Sequence, residues 1–554
     1  MIKNTVLTIL AVSIVTVLIS VSPAHPSSYA ISQITDNSYE DYSPQINSSG
    51  YVVWYGNGEI FLYDGTSIRQ ITDNPYGGGF MPQINDNGYV VWVGDDATDD
   101  EIFLYDGIGI RQLTDNSYYD YSPQINNNGY VVWSADYYEI FLYDGISIKQ
   151  ITDSSYHDMY PQMVVNAKPQ INNNGYVVWE SWDVDGIDHQ IFLYDGIGIT
   201  QITDNHGGYD PQINDNGYVV WYRWDFNGGD YEIFLYDGIS IKQITNNSYD
   251  DWTPQINNNG YVVWEGSDGS DHEIFLYDGT GIKQISNNSY EDWNPQINNN
   301  GYVVWEGYDS HDTEVFLYNG TSTIQITDNA YADDYPQLND KGDIVWHGFI
   351  SGAEIFIATP IVKLLYPNGS EIIPSGSTYT IIWEAAKEAV KFDIFYSLNN
   401  GAIWNPIASK VTGTSYTWTV PKPLKNKKNC LVKVIGYDAA DVKVGEDTSD
   451  GTFTIEVVKV TSPDGGENWK VGSTHAITWI TNGTKKPVAE VKLFYTYNGG
   501  ATWILIHTFN DNPGVYNWRA SANSANCKVK VVLKNASGKT IGTDVSDHVF
   551  TISP

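Results

Sequence analysis

The sequence predicts an all-β chain: an eight-bladed β-propeller followed by two β-sandwiches. Three observations predict it. The string Pro-Gln-Ile-Asn at 44–47 recurs at 82, 123, 169, 211, 254 and 295, and as Pro-Gln-Leu-Asn at 336, so eight copies repeat with a period of about 41. Each copy reads as four short β-branched or aromatic runs divided by Asn-Gly, Asp-Gly and Asp/Asn/Ser clusters, with no helical period, and four strands per repeat describe a propeller blade. After Pro360 a second repeat of about 96 residues begins, again all strands and turns.

The elements follow in order. Lys3 precedes an apolar run from Val6 to Val21 and a stretch of small residues, which reads as a signal peptide over 1–30 with the cut at Ala24 or Ala30. An uncleaved anchor is the competing reading, but the run of ~16 residues falls short of the roughly 20 a spanning helix needs. Export is therefore expected: secreted or at the cell surface, or periplasmic if the organism has an outer membrane.

Residues 31–360 carry the propeller. Trp54, Trp92, Trp133, Trp179, Trp221, Trp264, Trp305 and Trp346 keep step with the Pro marks, and so do Ile-Phe-Leu-Tyr strands from 60 to 355 and Gln-Ile-Thr strands from 33 to 325. The array opens with a lone Gln-Ile-Thr (33–35) and ends with a unit lacking its fourth strand, so the amino-terminal strand is expected to complete the last blade and tie the ring shut. A half-duplicated loop around Tyr160–Met163 interrupts the period.

The unit in which Pro opens the inner strand, an Asn-Gly turn precedes Tyr-Val-Val-Trp, and Ile-Phe-Leu-Tyr-Asp leads to Gln-Ile-Thr resembles the TolB-like class of propeller repeats. That resemblance implies the fold. It does not choose among interaction proteins, peptidase gating domains, pectate-fragment lyases and surface binding modules.

Residues 361–456 and 457–554 are tandem copies of one domain. Trp383 matches Trp479, Phe-Tyr-Ser-Leu-Asn-Asn-Gly-Ala-Ile-Trp (395–404) matches Phe-Tyr-Thr-Tyr-Asn-Gly-Gly-Ala-Thr-Trp (494–503), and Cys430 matches Cys527. The size is that of an immunoglobulin-like sandwich. The pair resembles the Ser-Thr-rich, cell-wall-type domains of microbial exported proteins. Each cysteine lies within an apolar strand and is expected to be a buried free thiol.

Charge excludes whole classes of partner. The chain has 67 Asp+Glu and 29 Lys+Arg, a net −38; residues 361–554 hold 16 and 20, which leaves −42 on the first 360. Such a body holds neither nucleic acid nor an anionic membrane surface by charge. The sequence also lacks a Gly-x-Ser-x-Gly elbow, an HExxH and a P-loop.

Candidate site residues cluster in the loops of one face. The interblade loops pair an acid with a ring before the Pro: Asp41 and Tyr42, Asp120 and Tyr121, Asp251 and Trp252, Asp292 and Trp293, with Asp333, Asp334 and Tyr335 in the last unit. As ligand-binding residues they would ring the channel mouth with carboxylates and flat rings, suited to sugars or a cation. As structural residues, the ring wedges between blades and the Asp accepts backbone N–H groups.

The second set of loops contains Asp183, Asp185 and Asp188, and Asp225, Asn227 and Asp230, in the frame Asp-x-Asp/Asn-Gly-x-Asp; shorter relatives stand at Asp96–Asp99, Asp268–Asp271 and Asp309–Asp312. Alternating oxygens around a turn are what Ca²⁺ takes, and they are also ordinary turn residues. His189, His272 and His311 fall in corresponding loops. The expectation is a noncatalytic exported binding or structural module whose acidic face meets an extracellular protein or glycan, with self-assembly at the surface as a further partner class. The other reading is a metal-assisted polysaccharide lyase or hydrolase on the same face.

Overall fold

The computed structural model describes residues 28–73, 78–135, 139–152, 168–182, 189–203, 207–521 and 523–554. The signal peptide, all but its last three residues, and the irregular loop at 160–163 lie outside them. Among the described residues there is no helix long and apolar enough to cross a membrane. The chain divides into two compact units between Thr359 and Pro360.

Among the described residues the first unit contains eight four-stranded antiparallel sheets, consistent with a propeller. Seven follow the chain, such as Asp251–Ile256, Val262–Ser267, His272–Tyr277 and Ile282–Gln284 in the sixth repeat. In the eighth, Asp333–Leu338, Ile344–Phe349 and Ala353–Pro360 are completed by the amino-terminal strand Tyr29–Gln33. Ile34 and Thr35 extend that pairing, both donating N–H to the Ile355 carbonyl at 2.7 and 3.4 Å.

The Val-Val-Trp runs are apolar throughout because their strand is covered on both faces by neighbouring sheets. Val52 and Trp54 join Val345, Ile355 and Ile357 of the eighth sheet, whereas Val53 joins Val90 and Trp92 of the second. Each repeat Trp stacks on the Phe of the next strand, for example Trp305 on Phe316 at 5.9 Å.

The Asn-x-x-Gly turns do more than reverse the chain. Asn257 accepts the N–H groups of Asn259 and Tyr261 on its side-chain oxygen and donates its amide to the Asn298 carbonyl of the next repeat. The same bond runs from Asn47 to Asn85, Asn126, Asn172, Asn214, Asn257, Asn298 and Asn339, and Asn339 donates to Asn47, so it closes on itself. Asn257→Ala is expected to cost about 1–3 kcal/mol, because it leaves two turn N–H groups unpaired and takes from the Asn298 carbonyl one of its two hydrogen bonds, the Gly301 N–H remaining. Asn259→Ala, which removes an exposed bond to Asn299, should cost well under half of that; urea unfolding of the two variants measures the difference.

The second unit holds two pairs of sheets, each a three-stranded and a six-stranded sheet, with the first pair repeated strand for strand in the second. Cys430 and Cys527 are both buried and free, and burial pushes the Cys430 thiol up to about 11. Ser375 and Gly483 bond across the two pairs, and the Asn426 amide holds the linker at Val457 and Val458.

Candidate functional site

The face with the long loops is built where each inner strand begins. A β-bulge interrupts its register, between Tyr42 and Gln45 in the first sheet and between Trp252 and Gln255 in the sixth. The residue before the Pro takes a positive φ at Ser43, Met81, Ser122, Asp210, Thr253, Asn294 and Tyr335. The extra residue reverses the facing of the strand's start. The acid turns into the wall and the ring beside it turns out.

This corrects one expectation. Asp41, Asp120, Asp251 and Asp292 do not rim a mouth: they are 0, 0, 2 and 1% exposed. Each accepts the indole N–H of its own repeat's Trp, at 2.9, 3.1, 2.8 and 3.0 Å for Trp54, Trp133, Trp264 and Trp305. The other carboxylate oxygen takes the side-chain amide of Asn37, Asn116, Asn247 or Asn288. Asp333 repeats the pattern with Trp346 and Asn329.

Across each of these joints stands a second acid from the preceding sheet: Glu354 for Asp41, Glu101 for Asp120, Glu232 for Asp251, Glu273 for Asp292 and Glu314 for Asp333. Glu101, Glu232, Glu273 and Glu314 are wholly buried. Glu232 accepts the Asn247 N–H on Oε1, and its carboxyl also meets the Thr245 hydroxyl and Asp251. Two buried carboxyls that face each other cannot both ionise, so one proton serves the pair. Burial, above all, pushes Asp41 up to about 6 and Asp251 up to about 7, and raises Asp120, Asp292, Asp333 and Glu314 in the same direction. Where the fifth repeat has Gly208 in place of the Asp, the facing acid is replaced as well: Gln190 accepts the Thr203 hydroxyl, and Trp221 Nε1 has no partner among the described residues.

The rings beside these acids keep part of their surface exposed. Tyr42, Tyr121, Trp252 and Trp293 are half-buried. Tyr42 stacks on Tyr55 at 6.3 Å and meets His347 edge-on at 5.4 Å; Trp252 meets His272 edge-on at 5.0 Å. Sequence reasoning missed the residues beside them. Glu180, Glu265 and Glu306 accept the N–H of Asp210, Asn294 and Tyr335 of the following repeat, at 2.9, 3.1 and 3.2 Å. Burial first, with Asp334 and Glu265 nearby, pushes Glu306 up to about 7, and burial drives the His347 imidazole down to about 4, which keeps it neutral. The signal was present: the residue after each invariant Trp varies from repeat to repeat, as Tyr55, Val93, Ser134, Glu180, Tyr222, Glu265, Glu306 and His347.

Of the metal candidates, Asp183, Asp185 and Asp188 lie outside the described residues. Asp225 and Asp230 face each other on a hairpin, and Asn227 donates its backbone N–H and side-chain amide to Asp225. Asp230 is buried, and neither carboxylate oxygen has a hydrogen-bond partner among the described residues. The three histidines each meet a different acid: His189 meets Glu180 at 3.7 Å, His272 meets Glu291 at 3.5 Å, and His311 meets Asp309 at 3.7 Å.

No family model matches the chain, and no curated protein matches it. Among solved structures it is similar to the β-propeller domain of the trilobed protease from Pyrococcus furiosus, at 13% identity over 52% of this chain and 96% of that one, TM-score 0.39. It is also similar to the extracellular domain of a putative one-component system from B. thetaiotaomicron, at 9% identity over 96% and 100%, TM-score 0.35. The tricorn protease matches at 12% identity over 73% of this chain and 44% of its own, TM-score 0.29. These are distant likenesses to propeller proteins, at identities too low to carry a function across.

Proposed function

We propose that the chain is an exported, noncatalytic surface module: an eight-bladed TolB-like propeller carried on two immunoglobulin-like sandwiches, whose face meets an extracellular protein or glycan. One observation carries this reading. The repeated acids are fixed in one structural network at joint after joint, which leaves a face of half-exposed rings and varying carboxylates, suited to stacking and hydrogen bonding rather than to a single reaction centre. The net −42 of the first 360 residues favours neutral or cationic partners over polyuronides. Cleavage after Ala24 fits better than after Ala30, because Tyr29 is packed against the eighth sheet's core. Calcium in the loops of Asp183–Asp188 and Asp225–Asp230, and self-assembly at the surface, belong to the same proposal.

A glycan array probed with the mature protein, with and without calcium, tests it. Binding to a defined set of neutral or amino sugars that Trp252→Ala and Trp293→Ala weaken at least tenfold is the expected result. Binding that both variants leave unchanged would contradict it. The lyase or hydrolase reading has one observation in its favour: His189 lies within 3.7 Å of Glu180 and 5.2 Å from the Tyr209 ring, which stacks on Tyr222. Ultraviolet-absorbing unsaturated ends released from a polyuronide by the wild type but not by His189→Ala would establish it instead.

A further inference from the structure

Seven Asn-x-Ser/Thr triplets stand in the sequence, at Asn47, Asn246, Asn287, Asn319, Asn368, Asn482 and Asn535. In an exported chain such a triplet is an acceptor for N-linked glycan where it lies on a surface loop, with the amide nitrogen and the hydroxyl two residues on both accessible. The structure sorts the seven. Asn47 is buried and spends its amide nitrogen on the Asn85 carbonyl. Asn368 donates its side-chain amide to Asp450, and Asn482 donates to Glu456. At Asn319 and Asn535 the hydroxyl of Thr321 or Ser537 turns back onto the Asn side-chain oxygen, which also accepts the backbone N–H groups of the turn.

Asn246 and Asn287 remain. Both are exposed, as are Ser248 and Ser289, and the side chains of all four make no hydrogen bond among the described residues. Their neighbours hold the loop instead. Asn247 and Asn288 donate their backbone N–H to Glu232 and Glu273, and their side-chain amides to Asp251 and Asp292. On the other side, the hydroxyls of Thr245 and Ser286 accept the N–H of Ile233 and Ile274. The backbone is therefore fixed on both flanks, and the acceptor side chains stand outside the network. The repeat supplies a comparison, because the same position is Asp36, Asp73, Asp115, Asp153, Asp204 and Asp328 in the other six units. Asp36-Asn37-Ser38 and Asp115-Asn116-Ser117 differ from an acceptor triplet by that one residue.

We propose that Asn246 and Asn287 are N-glycosylation sites. The donor is a glycan carried on a polyprenyl lipid through phosphate or pyrophosphate. Nδ2 of the asparagine attacks the anomeric carbon of the sugar, and the bond from that carbon to the phosphate oxygen breaks as the C–N bond forms. The phosphate keeps the electron pair, the amide proton passes to a base of the transferase, and nothing is oxidised or reduced. Because neither side chain holds the loop, the modification breaks no bond of the fold. The proposal rests on export but not on partner binding: a face that meets no partner can still be glycosylated.

Mass spectrometry of the full chain, isolated from the cells that make it and digested, is the test. Peptides containing Asn246 and Asn287 should carry a glycan whose enzymatic release leaves Asp in place of Asn, and those containing Asn47, Asn368 and Asn482 should be bare. Ser248→Ala should abolish the modification at Asn246 and leave it at Asn287. Asn246→Asp with Asn287→Asp installs the residue that the other six units carry, so that variant should fold, melt within a few degrees of the wild type and lose both glycans. Bare Asn246 and Asn287 in the wild type overturn the proposal, and so does a glycan at Asn246 that Ser248→Ala leaves in place. The amino-terminal peptide of the same digest reports export separately: a chain cut after Ala24 with both asparagines bare refutes glycosylation and leaves export standing.

Discussion

Removal of Tyr29–Thr35 is expected to abolish cooperative melting of the first unit. Tyr29 is buried in one cluster with Trp346 and Phe356, and Ile34 in another with Val52, Trp54 and Ile355. The Thr35 hydroxyl donates to Glu354 at 2.6 Å and accepts the Ile355 N–H at 2.8 Å. Two large apolar side chains are worth about 1.5–3 kcal/mol each, and stranding a buried acid costs about 1–3 more. The total approaches the ~5–15 kcal/mol that a whole domain has to lose. It also opens an unpaired strand edge at Ala353–Pro360, which invites aggregation. Deleting 457–554 should leave the melting of the first unit unchanged. Calorimetry of both truncations checks this, and a strand-deleted chain that still melts within a few degrees of wild type would contradict it.

Stability should fall as pH rises from about 4 to 8, the reverse of the usual acid denaturation. The sign follows from the proton count. A carboxyl whose folded value lies above its unfolded one binds more protons when folded, so its contribution is complete below about pH 4 and is lost as pH rises through the folded value. For Asp41 that value is about 6 and for Asp251 about 7. Each tenfold change in proton affinity is about 1.4 kcal/mol, so Asp251 alone is worth on the order of 4 kcal/mol over that range. The turn aspartates Asp106, Asp144, Asp195 and Asp237 act oppositely, since the backbone N–H groups of their turns hold them below the usual range. Maximum stability is therefore expected near pH 4–5.

Glu232→Gln should flatten the curve and stabilise the protein by about 1–3 kcal/mol at pH 8, since an amide can give Asp251 the hydrogen that a shared proton otherwise supplies. Gln190 already occupies the equivalent position in the fourth repeat. Denaturant midpoints from pH 4 to 9 provide the check.

The strands, their number per repeat and the pairing of the first strand with the last were legible because each is local or set by the phase of the repeat. The direction of the acids was not. Strict alternation counted back from Pro44 or Pro254 would bury Tyr42 or Trp252 and expose Asp41 or Asp251. The bulge adds one residue and inverts that count. Nothing in Ser43, Met81, Ser122, Thr253 or Tyr335 marks a positive φ, as a glycine would. The glutamate before the Ile-Phe strand was visible as a repeat in seven of the eight units, with Gln190 in the fourth, but its partner lies in the next repeat, so its role waited on the three-dimensional joint. The Asn-Asn-Asn-Gly turns read as turns for the same reason: their bonds to one another span about 40 residues.

The claim that proton-bearing acid pairs join the sheets is tested most directly by infrared spectroscopy of the protonated carboxyl carbonyl stretch. At pH 6, where free Asp and Glu are almost wholly ionised, the folded wild type should retain a protonated-carboxyl band. That band should fade as pH rises to about 8 and shrink by the share of one joint in Glu232→Gln. A natively folded protein with no such band at pH 6 would contradict the account.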